Sequence, residues 1–170
     1  MGKFLDILRK ALPFLSAVAL FFTVAAVCFA PCLEGRVLVQ HDIQQFDGMS
    51  RDIRECRAEA GEDPQWTGAM FGGMPAYLID VSYPAQLVVQ TIGRVKNLLG
   101  QPISFLFFAM LALWLMLRIL KIDPWLSIAP ALAYGLSTYF LLIIGAGHVT
   151  KMWAMVWAPL MMGGAWMALR

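Results

Sequence analysis

Residues 102–120 read PISFLFFAMLALWLMLRIL, and the one charged residue among them, Arg118, stands near the end. A helix of about 17–25 mostly apolar residues is long enough to cross the hydrocarbon core of a bilayer. Three further apolar runs occupy residues 11–32, 125–144 and 152–169. Together the four runs predict an all-α fold, a polytopic transmembrane helical bundle with four spans.

The composition excludes an ordinary soluble domain. Hydrophobic residues make up 60% of the chain and charged residues 14%, whereas a soluble domain carries about 25% charged residues. The formal net charge of +2 does not indicate a nucleic-acid partner, and the predicted partner is the lipid bilayer. The run 11–32 is also compatible with a signal peptide, but it is longer than the roughly 7–15 apolar residues typical of one, which favours a retained span.

Residues 33–101 form the polar part of the chain, with nine of its eleven acidic residues. Their charges and non-helical backbone would be unsatisfied in hydrocarbon, so we expect a loop outside the bilayer. Apolar residues spaced three and four apart predict two amphipathic helices, at about 43–60 and 84–99, which suit the membrane interface. Asp42, with Gln45 three residues later, indicates a capping box at the start of the first of these helices, and Gly61 is well placed to end it.

Lysine and arginine near the span ends predict the orientation, because they are enriched in short cytoplasmic loops. Residues 1–10 are therefore predicted to be a cytoplasmic N-terminus, and residues 33–101 and the turn 145–151 to be extracytoplasmic. The chain stops at Arg170, directly after the fourth run. We therefore expect this sequence to be truncated from a longer membrane protein.

The first candidate site is the segment Gln40-His41-Asp42, with Asp47 five residues later. A carboxylate held at the membrane surface can act as a general base toward an acceptor hydroxyl, and it can also contribute to a divalent metal site. The alternative is purely structural, with Asp42 as a helix cap. The two roles are compatible because a carboxylate has two oxygens.

The second candidate site is the predicted outer turn with Gly147, His148 and Lys151. If the fourth helix begins here, its free N–H groups suit an anion. Lys151 adds a charge suited to phosphate, and His148 can donate a hydrogen bond or a proton. The alternative is a solvated loop with a lysine that extends to the membrane surface.

The third candidate site is the segment from Trp66 to Tyr77, which contains Phe71-Gly72-Gly73-Met74-Pro75. Paired glycines such as Gly72 and Gly73 allow positive φ and close backbone approach, and the aromatic rings suit a sugar ring or lipid. The alternative is an ordinary turn whose aromatic residues anchor it at the membrane interface.

The order of these features resembles the N-terminal part of the YfhO-like bacterial membrane proteins. The residues that carry the resemblance are Ala30-Pro31, Leu33-Glu34-Gly35, Gln40-His41-Asp42, Trp66, Phe71-Gly72-Gly73-Met74-Pro75-Ala76-Tyr77, Gly147-His148 and Lys151.

The resemblance implies a glycosyltransferase of the GT-C type in the bacterial inner membrane. Such an enzyme would transfer a sugar from a polyprenyl-phosphate-sugar donor to an extracytoplasmic cell-envelope acceptor, a glycan or a lipid. The resemblance implies that Asp42 is the catalytic base and that His148 and Lys151 bind the donor phosphate. His41, Asp47 and Gly73 are further predicted substrate-binding residues, and a divalent metal is a possible cofactor.

Two other function classes stay open at this point. A transporter or flippase predicts ionisable residues inside the spans, and the apolar runs contain almost none. A non-catalytic membrane scaffold subunit predicts no binding of a donor lipid.

Overall fold

The computed structural model describes residues 2–82 and 87–170, and in this part of the chain it is mostly helical. Two compact units are present, one of residues 1–38 and 96–170 and the other of residues 39–95. In chain order the helices are α1 (Gly2–Cys28), α2 (Ala30–Leu33), α3 (His41–Met49), α4 (Arg51–Ala60), α5 (Leu87–Lys96), α6 (Ile103–Ile119), α7 (Ile128–Gly135), α8 (Thr138–Ala146) and α9 (Val149–Ala168).

Helix α6 is the centre of the first unit, because α1, α7 and α9 all pack against it. Every residue from Ile103 to Met110 is buried, as expected for a helix that is apolar on all sides. The ring of Phe14 on α1 contacts Trp114, and Phe22 contacts Phe107. Since the residue numbers of the contacting rings rise along α1 as they fall along α6, the two helices are antiparallel.

Helices α6 and α9 run in the same direction. Near their starts the Phe105 and Trp153 rings lie 5.0 Å apart. Near their other ends a Cβ on Gly163 would lie 2.9 Å from Ile119 Cδ1, so the two helices also approach each other closely there. The end of the unit where α6 and α9 begin and α1 ends is called the loop end below.

Two stretches are long and apolar enough to cross a membrane, Ala11–Cys28 within α1 and Ile128–Ala146 across α7 and α8. Helix α6 is apolar and 17 residues long, and α9 has 20 residues. The predicted N-terminal segment 1–10 is helical from Gly2 onward and continuous with the first apolar run.

The predicted third span, 125–144, corresponds to the apolar stretch Ile128–Ala146, but this stretch is not one continuous helix. Two helices are present, α7 and α8, and the chain leaves helical geometry between them, where Ser137 has φ −60° and ψ 141°. Before α7, the Asp123 carboxylate accepts the backbone N–H groups of Trp125 and Leu126 at 2.9 and 3.1 Å. These bonds hold a turn, and α7 begins only at Ile128.

The second unit joins two helices to a small hairpin. The predicted helix 43–60 is interrupted at Ser50, whose hydroxyl donates to the Phe46 carbonyl at 2.7 Å. A serine that bonds back one turn competes with the helical ladder. The strands β1 (Trp66–Thr67) and β2 (Met74–Pro75) pair antiparallel, an element that the all-α prediction lacked. A single 3₁₀ turn follows at Ala76–Leu78.

Two other predicted boundaries can be compared with the structure. Gly61 ends α4 in the left-handed conformation, φ 73°, as its position in the sequence predicts. The second amphipathic helix is shorter than predicted, since α5 covers Leu87–Lys96. The predicted start at 84–86 lies outside the described residues.

Candidate functional site

Asp42 lies in the first turn of α3 and does not precede the helix as the capping-box prediction required. The helix begins at His41, and its N-cap is Gln40, which makes no side-chain cap hydrogen bond. A carboxylate in the first turn is stabilised by the positive end of the helix dipole. Asp42 is half-buried and His41 exposed.

Asp47 is already engaged within its own unit. Arg54 Nη2 lies 3.1 Å from Asp47 Oδ1 and 3.0 Å from the Asp47 backbone carbonyl oxygen. The same guanidinium lies over the Phe46 ring, 5.9 Å from its centroid. These contacts link α3 to α4 across the interruption at Ser50. Asp47 therefore acts first as a structural partner, and binding of a substrate would compete with Arg54.

Gly73 is required by the hairpin itself. Its φ of +123° is outside the range that residues with a side chain adopt, and a Cβ there would lie 2.3 Å from Nε1 of Trp66. Phe71 at the tip also has positive φ, 50°, which is rare for a bulky residue. The predicted positive φ and close approach are both present, and the group that approaches Gly73 is the indole of Trp66.

An arginine that the sequence analysis did not single out holds the hairpin on α4. Arg57 donates through Nε to Asp63 and through Nη1 to Asp80, the latter at 3.2 Å. The hydrogen bond with Asp63, with a smaller contribution from Asp80, raises the pKa of Arg57. The two acids flank the hairpin in sequence, which is the one signal that could have indicated a shared partner.

A second bond ties the hairpin to the start of α4. The hydroxyl of Thr67 on β1 donates to Asp52, whose other oxygen accepts the Ile53 backbone N–H at 2.9 Å. Ile53 and Thr67 are buried. In contrast, the aromatic side chains of the segment are largely exposed, with Phe71 at 90% and Trp66 at 61%. The hairpin therefore presents its rings outward on a fixed base.

His148 and Lys151 lie at the loop end of the helical unit. The predicted turn 145–151 is shorter than expected: α8 ends at Ala146, Gly147 is left-handed with φ 96°, and His148 is the N-cap of α9 without a side-chain cap bond. Lys151 is therefore in the first turn of a helix, and its ammonium lies 5.1 Å from the centroid of the Tyr139 ring. A lysine at a helix start suits an anion.

A second lysine, Lys96, belongs to the same end and was not predicted. Its Nζ lies over the Trp153 ring, 5.2 Å from the centroid, and burial lowers its pKa below the ordinary 10.5. Ser104 and Trp153 are buried, and neither Ser104 Oγ nor Trp153 Nε1 has a hydrogen-bond partner among the described residues. In the sequence Ser104 and Trp153 look like packing positions in apolar runs, so no local signal identifies them.

The loop end also carries an open cleft of about 400 Å³ beside the end of α1. Its wall is mostly apolar, and Arg36 supplies a cation that pairs with Glu34 at 3.0 Å. The lining residues are Cys28, Phe29, Pro31, Cys32, Arg36, Val37 and Leu38.

The predicted site residues divide between the two units. The unit 39–95 contains His41, Asp42, Asp47 and Gly73. The helical unit contains His148 and Lys151. Across residues 2–82 and 87–170 no three His, Cys, Asp or Glu side chains are grouped so that they could hold a metal ion.

In comparisons with known proteins, no family model, curated protein or solved structure matches the chain.

Proposed function

We propose that the chain is a multi-pass protein of the bacterial inner membrane with four spans and a cytoplasmic N-terminus. We further propose that it belongs to a GT-C-type glycosyltransferase of the YfhO-like kind. The reaction would move a sugar from a polyprenyl-phosphate-sugar donor to a cell-envelope glycan or lipid outside the cytoplasm. The apolar helices α1, α6 and α9 and the pair α7–α8 would be the spans.

One observation carries this proposal. The end of α1, the start of α9 and Lys151 lie at the same end of the helical unit, and the segment after α1 continues along the chain into α3 with its N-terminal Asp42. A glycosyl transfer from a lipid phosphate needs a base for the acceptor and a cationic group for the departing phosphate. The segment after α1 supplies a carboxylate for the first role, and the helical unit supplies an ammonium for the second.

The proposed step is a displacement with inversion at the anomeric carbon. The acceptor oxygen forms the new bond to that carbon, and its proton passes to the Asp42 carboxylate. The bond between the anomeric carbon and the phosphate oxygen breaks, and the electron pair leaves with the polyprenyl phosphate. Lys151 and the N–H groups at the start of α9 would stabilise the charge on this leaving group.

The test is the variant Asp42→Asn in the natural protein. The protein is reconstituted in lipid vesicles and supplied with a panel of undecaprenyl-phosphate hexoses, and the release of undecaprenyl phosphate is measured. Loss of a general base should slow the release of undecaprenyl phosphate by about 10²–10⁴-fold. The amide keeps the size of the side chain, so the amount of folded protein should not change. The matched control is Glu59→Gln, which neutralises an exposed carboxylate on α4 and should leave release unaltered.

Undiminished release in Asp42→Asn would show that another group accepts the proton. Equal losses in both variants would show that the effect comes from net charge and not from a base.

The interruption between α7 and α8 favours a second candidate, a flippase for the same lipid. Broken membrane helices often surround transported substrates at the bilayer midplane. Residues 128–146 contain no Asp, Glu, Lys, Arg or His, so ion-coupled transport has no charged residue here. A fluorescent polyprenyl phosphate in proteoliposomes separates the two functions when dithionite is added outside the vesicles. A flippase would bring the lipid of both leaflets to the outside, so dithionite would bleach all of its fluorescence. A transferase would leave the lipid of the inner leaflet protected.

A further inference from the structure

Two buried hydrogen-bond donors near the loop end have no partner among the described residues, Ser104 Oγ and Trp153 Nε1. Ser104 is 0% exposed and Trp153 3%. Leaving such a group unpaired in an apolar interior costs free energy, so each unpaired donor calls for an explanation. A ligand that accepts hydrogen bonds at this place would supply one.

Both donors lie near the starts of two parallel helices, Ser104 on α6 and Trp153 on α9. Ser104 precedes Phe108 by four residues and so lies on the same face of α6, one turn nearer its start. The Phe108 ring lies 6.1 Å from both Trp153 and Trp157. Phe108 therefore borders α9, and Ser104 lies one turn nearer the loop end, at the level of α6 where the Phe105 ring contacts Trp153.

A positive charge completes the group. The ammonium of Lys96 lies 5.2 Å from the centroid of the Trp153 ring, and a lysine offers three N–H donors and no acceptor. Both helices begin at this end, so their dipoles also present positive potential here. Hydroxyl, indole N–H, ammonium and two helix starts together favour a ligand rich in acceptors and negatively charged.

Lys151 lies on a different side of α9. Its ammonium is placed over Tyr139 on α8, whereas Trp153 faces α6 and Lys96. The cation that accompanies the unpaired donors is therefore Lys96.

We propose that Lys96, Ser104 and Trp153 form a binding site for a phosphate group at the loop end of the helical unit. This site is separate from the contact of the leaving phosphate with Lys151, and it rests on the proposed function only for the choice of polyprenyl phosphate as the ligand. Inorganic phosphate has the same headgroup chemistry, and the experiment below separates the two sources.

The experiment measures binding of undecaprenyl phosphate, undecaprenol and inorganic phosphate to the natural protein in nanodiscs. The variants are Lys96→Gln, Ser104→Ala and Trp153→Phe. Each should weaken binding of undecaprenyl phosphate by about tenfold, the loss expected when one hydrogen bond to a charged group is removed. The matched control is Arg94→Gln, which removes an exposed cation two residues from Lys96 and should not weaken binding.

Ser104→Ala has a second, opposite readout. Without ligand it should raise the Tm or leave it unchanged, because it removes a buried hydroxyl that has no partner. With ligand present the same variant should gain less stability than the unaltered protein. If Ser104 only packed, Ser104→Ala would gain as much stability from the ligand as the unaltered protein does. The pair of measurements therefore distinguishes binding from a structural role.

The lipid source is supported if undecaprenyl phosphate binds, undecaprenol does not, and inorganic phosphate competes only weakly. Full competition by inorganic phosphate supports the phosphate site with a free anion as its ligand. Equal binding of undecaprenol, or unchanged affinity in Lys96→Gln and Ser104→Ala, would overturn the site. Asp42→Asn should bind undecaprenyl phosphate normally, so a failure of the transfer reaction and a failure of this site give different results.

Discussion

Gly73 shows how a single residue supports the hairpin. Replacing it with alanine places a Cβ 2.3 Å from Nε1 of Trp66 and keeps a φ of +123°. Strain of this kind costs about 1–3 kcal/mol at a residue with a side chain, and the clash adds to it. We expect Gly73→Ala to expose the segment 66–78 to proteolysis at a lower protease concentration than the unaltered protein.

Gly72 provides the control for this prediction. It also has positive φ, 76°, but a Cβ there would meet no heavy atom within 4 Å. Gly72→Ala should therefore show backbone strain alone and a smaller effect. Combining Gly73→Ala with Trp66→Ala should recover part of the loss, and no recovery would mean that the contact with Trp66 is not its cause.

At the scale of helices and strands, the sequence predicted what depends on a regular pattern. The apolar run at 102–120 forms α6, and the glycine at 61 ends α4. The interruption at Ser50 was missed, because it depends on one side-chain hydrogen bond to the local backbone. Such bonds compete with the helix only in the folded chain, and periodicity does not report them.

The junction between α4 and the hairpin depends on Arg57. Arg57→Met removes the cation between Asp63 and Asp80 and leaves two partly buried carboxylates close together without compensation. We expect a lower Tm and easier cleavage after the hairpin. Arg51→Met is the matched change on the same helix, because Arg51 pairs at 2.9 Å with Glu55 in a fully exposed setting, where ion pairs contribute little.

A loss of stability in Arg57→Met no larger than in Arg51→Met would contradict this role. High salt should reduce the small effect of Arg51→Met almost to zero and preserve more of the effect of Arg57→Met, since buried pairs are less screened. Thermal unfolding at two ionic strengths measures both.

At the scale of the whole molecule, the candidate site could be predicted only in part. Asp42, His148 and Lys151 are charged or ionisable residues beside apolar runs, so the sequence marks them. Ser104 and Trp153 become notable only when their polar atoms are buried without partners, and Lys96 only when its ammonium reaches a ring that is 57 residues away in the chain. Such features arise from packing, which a local pattern does not contain.

The arrangement of the helices makes a prediction about the membrane. Helix α1 is antiparallel to α6, and α6 is parallel to α9, so the proposed four-span topology would place Lys121 on one side of the bilayer and His148 on the other. In a variant with Cys28, Cys32 and Cys56 replaced by serine, we expect an impermeant maleimide to label His148→Cys and Glu59→Cys in intact cells. Lys121→Cys should react only after the membrane is opened, because lysine-rich loops stay in the cytoplasm. Labelling of positions 121 and 148 from the same side would exclude the four-span topology, and with it a lipid-linked donor at the loop end.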